Sequence, residues 1–179
     1  MKQGAIFDMD GLMFDTQKVY NEAWYRLAPR FGITIPDQFI TDVTGTAGDR
    51  MLAVVRSYFP DTDIHALIEA CYDRVRTVIE TDLTVKPGLY EILDCFERKG
   101  VRTCVASGSR LAVIRRNLKT AGVEDKIGCV ISSAEGGIKS KPDPDIFLRA
   151  AALLELDPSD CYVLEDSLGG TWAGLAARG

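Results

Sequence analysis

Short apolar runs alternate with helical patterns over the second half of the chain, and this order strongly limits the possible folds. Strands are predicted at Val101–Ala106, Cys129–Ile131 and Cys161–Leu164. Helices are predicted over Gly88–Lys99, over Arg110–Ala121, from Asp143 as the N-cap, and around Thr171–Ala177. This alternation predicts an α/β fold, with a parallel sheet that carries helices on both faces.

The stretch from Thr16 to Asp82 interrupts the alternation because its apolar residues recur at helical spacing throughout. An insert after the first strand would stand above the carboxyl ends of the strands, where open α/β sheets bind ligands. The apolar stripes fit both a lid over a site and a helical layer packed on the sheet. The expected division is an α/β core over residues 1–15 and 83–179 and a helical insert over 16–82.

Two aspartates, Asp8 and Asp10, follow the first predicted strand, Gly4–Phe7, and Gly11 is expected to form the turn that ends it. Side chains two apart on a strand point the same way, so the two carboxylates emerge together. At about 4 Å and an effective dielectric of about 20, two such charges repel by roughly 4 kcal/mol. A fold tolerates this repulsion if a cation lies between the carboxylates or if one keeps a proton. The pair therefore indicates chemistry at this strand end.

Polar residues also mark the later strand ends. Ser107, with Gly108, could bind a phosphate through its hydroxyl and backbone N–H groups. Lys141 could neutralise an anion, and Glu165 with Asp166 adds oxygen ligands suited to magnesium. Each signal is weak alone, because such residues are also common in solvated turns and loops. Together they predict a phosphate beside a magnesium ion. The chain has no GxxxxGK[ST] loop, so nucleoside triphosphate binding of that type is not indicated.

These motifs, in this order, resemble the haloacid dehalogenase superfamily, and more narrowly its β-phosphoglucomutase and small-metabolite phosphatase subfamily. The matching segments are FDMDGLMFDT, VASGS, KSKPDPDIF and VLEDSLGGTWAG, and KPGLYEILDCFERKG matches the lead-in to the second core strand. The resemblance covers nearly the whole chain. It implies a Rossmann-like parallel-sheet core with an inserted all-helical cap, and hydrolysis of a small phosphate monoester with Mg²⁺ as the cofactor.

The resemblance also implies a role for each matching residue. Asp8 would be the nucleophile that forms an aspartyl-phosphate. Asp10 would be the general acid that protonates the leaving oxygen and then the base that activates water. The phosphate would be bound by Ser107, Gly108 and Lys141. The magnesium ligands would be Asp8, the backbone carbonyl of Asp10, and Asp166, with Glu165 close by or directly ligating.

Two departures from the mutase favour a simple phosphatase. Tyr20 stands where the mutase has a histidine in its first cap helix, and Gly48 stands where it has an arginine. The alternatives are a β-phosphoglucomutase-type mutase, an inactive truncated phosphate-binding homologue, and a signalling receiver domain. A receiver domain also phosphorylates an aspartate, but its acceptor follows a later strand and it lacks a helical insert of this size.

The resemblance further implies another strand beyond the last helix, whereas this chain stops at Gly179. The C-terminal edge of the sheet is therefore expected to be truncated. Cys161–Leu164 would then be an exposed edge strand, and such edges tend to recruit another chain. We accordingly expect the chain to self-associate through this edge or to bind magnesium weakly, because Glu165 and Asp166 follow that strand directly.

Charge and composition limit the other partners. Lys and Arg number 21 against 26 Asp and Glu, a net charge of −5, and no basic tract occurs, so neither nucleic acid nor an anionic membrane is expected as a partner. No signal peptide or segment of transmembrane length is found. The five cysteines form no CxxC pair, which favours reduced thiols and a cytoplasmic location. His65 is expected to be an ordinary helix residue.

Overall fold

A computed structural model describes residues 2–46 and 48–178, and it divides into two compact units. One unit combines the residues as far as Asp15 with those from Thr84 onward. The other unit is Thr16–Leu83. The chain therefore leaves the first unit after the first strand and returns to it before the second.

The first unit is built on a parallel sheet. Its strands within the described residues are β1 (Gly4–Phe7), β2 (Arg102–Ser107), β3 (Cys129–Ser132) and β4 (Cys161–Leu164). They pair in the order β3-β2-β1-β4, and every pair is parallel. Because β1 is a central strand with helices on both sides, all of its residues are buried, which explains its uninterrupted apolar sequence.

The helices within residues 2–46 and 48–178 are α1 (Thr16–Phe31), α2 (Asp37–Val43), α3 (Gly48–Tyr58), α4 (Ile64–Thr81), α5 (Leu89–Arg98), α6 (Leu111–Thr120), α7 (Asp145–Leu153) and α8 (Leu168–Ala176). The first four form the second unit, and the last four belong to the first unit. The predicted order of strands and helices is confirmed.

Helices cover both faces of the sheet, as predicted. On one face, Ile6 and Cys104 belong to the same buried cluster as Phe147 of α7. On the other face, the Phe7 ring meets the Phe96 ring of α5 edge-on, with the ring centroids 5.9 Å apart. The alternation of side chains along each strand supplies apolar groups to both layers.

The second unit is helical throughout, and it has a core of its own. The buried Phe39 ring lies at its centre and meets the rings of Trp24 and Phe59 edge-on, with centroid distances of 5.3 and 5.0 Å. Leu67 and Val75 of α4 are buried in the same cluster. The predicted stripe of apolar residues on α4 therefore packs inside this unit.

Two local predictions were wrong. Asp143 is not the N-cap of α7, because Pro144 takes that position and the helix begins at Asp145. The Asp143 side chain instead accepts a hydrogen bond from the Asp145 N–H at 3.1 Å, which closes a turn just before the helix. The last helix begins at Leu168 rather than near Thr171, since Ser167 is its N-cap and accepts from the Gly170 N–H at 3.0 Å.

The two edge strands of the sheet are β3 and β4. In the described part of the chain, β4 pairs with β1 and has no second strand partner.

No helix among residues 2–46 and 48–178 combines the length and the apolar character needed to cross a membrane.

Candidate active site

Asp8 is fixed at the carboxyl end of β1, at the centre of the sheet. Its backbone N–H donates to the Leu164 carbonyl at 2.9 Å, so the pairing of β1 with β4 continues one residue past the strand. The side chain is almost fully buried, with the residue 7% exposed. Its Oδ1 accepts a short hydrogen bond from the Lys141 ammonium. The sheet therefore holds a buried carboxylate directly against a cation.

Gly11 forms the turn after the aspartate pair, as predicted. Its φ of +95° lies in the left-handed region, where a residue with a side chain is strained. A Cβ at this position would also lie 2.2 Å from Oδ2 of Asp166. Glycine is therefore required twice here, once for the backbone turn and once for the close approach of the Asp166 carboxylate.

Two serine hydroxyls hold the Asp10 carboxylate. Ser107 Oγ and Ser109 Oγ both donate to Oδ2 of Asp10, at 3.1 and 2.8 Å. The Ser109 N–H donates to Ser107 Oγ at 3.0 Å, which closes the arrangement. Ser107 is the last residue of β2, and Gly108 follows it in the bend before α6.

Sequence reasoning gave no role to Ser109 and overlooked Ser132. Ser132 ends β3, its residue is buried, and its Oγ donates to the Ser109 carbonyl at 2.6 Å. The signal that could have revealed Ser132 was the one used elsewhere, a polar residue at the end of an apolar strand. Ser132 steadies the bend that carries Ser109, and through it the Asp10 carboxylate.

Lys141 joins three strand ends. Its ammonium donates to the Asp8 carboxylate, to Oε1 of Glu165 at 2.6 Å, and to the Ala106 carbonyl at 3.2 Å. Burial alone would lower the pKa of this ammonium, but the Asp8 and Glu165 carboxylates outweigh burial and raise its pKa above the ordinary value. Lys141 is therefore a permanent positive charge inside the site.

Glu165 and Asp166 both lie at the site, but they are held differently. Glu165 is tied to Lys141 on one side and on the other accepts from the N–H and the hydroxyl of Ser167, at 2.9 and 2.8 Å. Its carboxylate also lies so close to Gly170 of α8 that a Cβ there would be 1.8 Å from it. Asp166 lies against the Gly11 backbone instead. Of the two carboxylates, Asp166 is the better placed to serve a ligand.

The site holds an excess of negative charge. Burial raises the pKa of Asp8 to about 7 despite the lowering effect of Lys141, and the neighbouring Glu165 and Asp10 charges add to the increase. Burial and the charge of Glu165 also raise the pKa of Asp166. The buried Lys141 ammonium pairs with only two of the four carboxylates, Asp8 and Glu165, and a bound cation would relieve the repulsion that remains.

The donor set fits a hard divalent cation. Asp166 places its carboxylate against the Gly11 backbone, and Asp8 lies three residues earlier at the end of β1. Carboxylate and backbone carbonyl oxygens are the ligands that such a cation prefers. In the part of the chain that the structure describes, no three acidic, His or Cys side chains form a ready metal-binding group. Glu165 is engaged by Lys141 and Ser167, so two carboxylates, backbone oxygen and water would have to form the coordination shell.

This arrangement defines a class of site. A carboxylate pair, a hydroxyl and a buried ammonium meet at the carboxyl edge of a parallel sheet, beside oxygen donors for a cation. Such groups are suited to binding a phosphoryl group and neutralising its charge. The sequence matches the haloacid dehalogenase-like hydrolase family over residues 2–178, and the chain belongs to that family.

Its relatives place the chain among the phosphatases of the family. It is 30% identical to hexitol phosphatase B of Escherichia coli strain K12 over 179 residues, covering 97% of this chain and 79% of that protein. It is 28% identical to a fructose-1-phosphate phosphatase of the same strain, covering 97% and 92%. The crystal structure of β-phosphoglucomutase from Clostridium difficile superposes with a TM-score of 0.80 at 26% identity, covering 99% and 82%. The predicted family and enzyme class are confirmed.

Proposed function

We propose that this protein hydrolyses the phosphate monoester of a small sugar or sugar alcohol, with magnesium, through an aspartyl-phosphate on Asp8. The observation that carries the proposal is the buried Asp8 carboxylate at the end of β1, held by Lys141 and adjacent to the Asp10 carboxylate that Ser107 and Ser109 hold. The similarity to hexitol and fructose-1-phosphate phosphatases supports the substrate class.

In the proposed reaction, the Asp8 carboxylate attacks phosphorus and the ester P–O bond breaks. The Asp10 carboxyl gives its proton to the departing oxygen. Asp10 then removes a proton from a water molecule that attacks the aspartyl-phosphate, which releases phosphate and restores Asp8. The hydrogen bond from Ser109 keeps the Asp10 carboxylate in one orientation for both steps, while the Ser107 hydroxyl would turn from Asp10 to the phosphoryl group.

The remaining site residues would bind the phosphate group and the metal ion. Lys141 would neutralise phosphoryl oxygens, and Ser107 and Gly108 would donate hydrogen bonds to them. Asp8, the Asp10 carbonyl and Asp166 would hold magnesium, with Glu165 close by. When bound, the ion would supply positive charge that offsets the repulsion between the Asp8 carboxylate and the phosphate. We also propose that Thr16–Leu83 is the helical cap and that it carries substrate selectivity.

A sugar phosphate mutase is the second candidate, since the chain is also similar to β-phosphoglucomutases. Tyr20 and Gly48 stand where the mutase is expected to have a histidine and an arginine that grip the sugar bisphosphate. With β-glucose 1-phosphate and a trace of the bisphosphate, we expect phosphate release to exceed glucose 6-phosphate formation. A β-phosphoglucomutase assayed in parallel is the control, and fast isomerisation that outpaces phosphate release would contradict the assignment.

We propose that two copies of this chain associate through β4, which has no second strand partner among the described residues. We also propose that the protein works in the cytoplasm. Supporting the association, α8 packs against β4 through Gly174 and Val163, and it exposes apolar side chains, with Leu168, Trp172 and Leu175 exposed by 80%, 64% and 55%. These positions lie on one face of the helix, and unpaired strand edges tend to associate.

Light scattering tests this self-association. We expect a wild-type dimer, and we expect Trp172→Asp to shift the protein toward monomer because a charge would then enter the apolar contact. Tyr90→Asp, at an exposed aromatic residue on α5, is the matched control and should leave the dimer intact. A wild-type protein that stays monomeric at high concentration would refute the proposal.

A further inference from the structure

Two cysteines outside the active site lie side by side on neighbouring strands. Cys104 of β2 and Cys129 of β3 are register partners in the parallel ladder, so their side chains point to the same face of the sheet. Neighbouring strands lie about 4.8 Å apart, and disulfides join Cα atoms that are about 4.4–6.8 Å apart. The Cys104 thiol donates to the Val105 carbonyl at 3.7 Å, and each of the two cysteines shifts the pKa of the other, as expected for neighbouring thiols. The backbone therefore already has a separation that suits a disulfide.

The two thiols differ in their exposure. Cys104 is fully buried in the core on the α7 side of the sheet. Cys129 is half-buried on β3, an edge strand. It lines a cavity of about 420 Å³ at the amino ends of β2 and β3, together with Lys126 and Leu153. Cys104 does not line this cavity, so of the two cysteines Cys129 is the one that a small oxidant entering it would reach.

The two thiols also differ in acidity. The neighbouring Cys104 thiol lowers the pKa of the Cys129 thiol, although partial burial opposes this. The neighbouring Cys129 thiol, together with burial, raises the pKa of Cys104. Because the thiolate is the reactive form of cysteine, Cys129 is the group that attacks an electrophile, and Cys104 is the thiol held beside it.

We propose that Cys104 and Cys129 are an oxidisable pair, which a hydroperoxide converts into a disulfide between β2 and β3. The Cys129 thiolate attacks a peroxide oxygen, the O–O bond breaks, and the departing oxygen takes up a proton and leaves as water or alcohol. Cys129 is then a sulfenic acid. The Cys104 sulfur attacks the Cys129 sulfur, the S–S bond forms, and the sulfenic oxygen leaves as water with the Cys104 proton. The two thiols lose two electrons, which the peroxide accepts.

The bridge would lie away from the catalytic groups. The residues that end the same two strands, Ser107 and Ser132, are register partners at the carboxyl edge of the sheet. Cys104 and Cys129 lie toward the amino end of that ladder. Oxidation there is therefore a modification separate from the proposed phosphatase chemistry, and it can be followed without an activity assay.

Peptide mass spectrometry of the full chain tests the proposal. The protein is treated with hydrogen peroxide, its remaining thiols are alkylated, and it is digested with trypsin without reduction. Trypsin releases Cys104 within Thr103–Arg110 and Cys129 within Ile127–Lys139. We expect these two peptides to be joined, with the loss of two hydrogens, and to separate again after treatment with dithiothreitol.

Single substitutions provide the controls. Cys129→Ser should leave the buried Cys104 reduced at the same peroxide dose, whereas Cys104→Ser should let Cys129 proceed to the sulfinic acid. Cys71→Ser removes a buried thiol of the second unit and should form the bridge as the wild type does. A bridge between Cys104 and Cys161, or oxidation of other thiols while Cys129 stays unmodified, would overturn the proposal.

Discussion

Replacing Asp8 with asparagine is expected to reduce magnesium-dependent phosphatase turnover to below a few per cent of the wild-type rate. An amide oxygen is a far weaker nucleophile than a carboxylate, and it offers a cation no charge. The loss should appear in kcat for every substrate, because the aspartyl-phosphate would be common to all of them. Steady-state phosphate release, measured with magnesium and with EDTA, is the assay. Activity above a few per cent would rule out Asp8 as the nucleophile.

The same variant should be at least as stable as the wild type when metal is removed, which separates loss of chemistry from loss of fold. The pKa of Asp8 rises from 3.8 to about 7 in the folded protein, so the folded state binds this proton more tightly than the unfolded chain does. Stability from that proton is fully present below about pH 4 and is lost as the pH rises through 7. Ionisation of Asp8 at pH 8 would then cost the fold a few kcal/mol, on the order of 1.4 kcal/mol per pKa unit.

An asparagine at position 8 does not ionise, so this cost to folding stability is absent at every pH. Thermal melts in EDTA should therefore show the variant and the wild type unfolding together near pH 4, with the variant gaining relative stability toward pH 8. A variant that is less stable than the wild type at pH 8 would show that the ion pair with Lys141, rather than burial, dominates the energetics of Asp8.

Replacing Asp10 with asparagine is expected to lower kcat for sugar phosphates by about 10²–10⁴-fold, the usual contribution of general acid–base catalysis. The effect should depend on the leaving group. An aryl phosphate such as p-nitrophenyl phosphate releases a stable anion that needs no proton, so phosphorylation of Asp8 should proceed while hydrolysis stalls. Stopped-flow absorbance should show a burst of one p-nitrophenolate per active site, followed by slow turnover.

Ser109→Ala is a graded control for this result. It removes one of the two hydroxyls that donate to the Asp10 carboxylate, and it leaves the carboxylate itself in place. We expect a smaller fall in kcat than with Asp10→Asn, and no burst. If Asp10→Asn lost the aryl phosphate burst together with sugar phosphate turnover, Asp10 would act in forming the phosphoenzyme rather than in proton transfer.

Much of the fold could be predicted because the pattern of each segment agrees with the order of the segments along the chain. Apolar runs at regular spacing, each followed by a helical pattern, define a parallel α/β sheet, and β4 has the predicted bounds. The two wrong predictions, the N-cap of α7 and the first residue of α8, lie where a single side chain determines the local turn. Asp143 has the chemistry of an N-cap, but its carboxylate closes a turn on the Asp145 N–H. Sequence periodicity carries no information about that choice.

The candidate site was predictable as a set of residues, but its pairings were not. Strand-end positions indicated that Asp8, Ser107, Lys141 and Glu165 lie along one edge of the sheet. They did not indicate that Lys141 would bridge Asp8 and Glu165, or that Ser107 would donate to Asp10. These contacts depend on side-chain reach across neighbouring strands, which residue order alone does not specify. The buried Ser132 was overlooked for the same reason, because its partner is a backbone carbonyl on the adjacent strand end.

A phosphoryl group that becomes bonded to Asp8 during turnover can be trapped and located in the chain. Asp10→Asn is incubated with p-nitrophenyl phosphate and magnesium, quenched in acid, digested and examined by mass spectrometry. We expect one phosphoryl group on the peptide that contains Asp8, removable by hydroxylamine and absent when Asp8 is also changed to asparagine. Release of p-nitrophenolate with no phosphoryl group on that peptide, or with the group on another residue, would show that Asp8 is not the nucleophile.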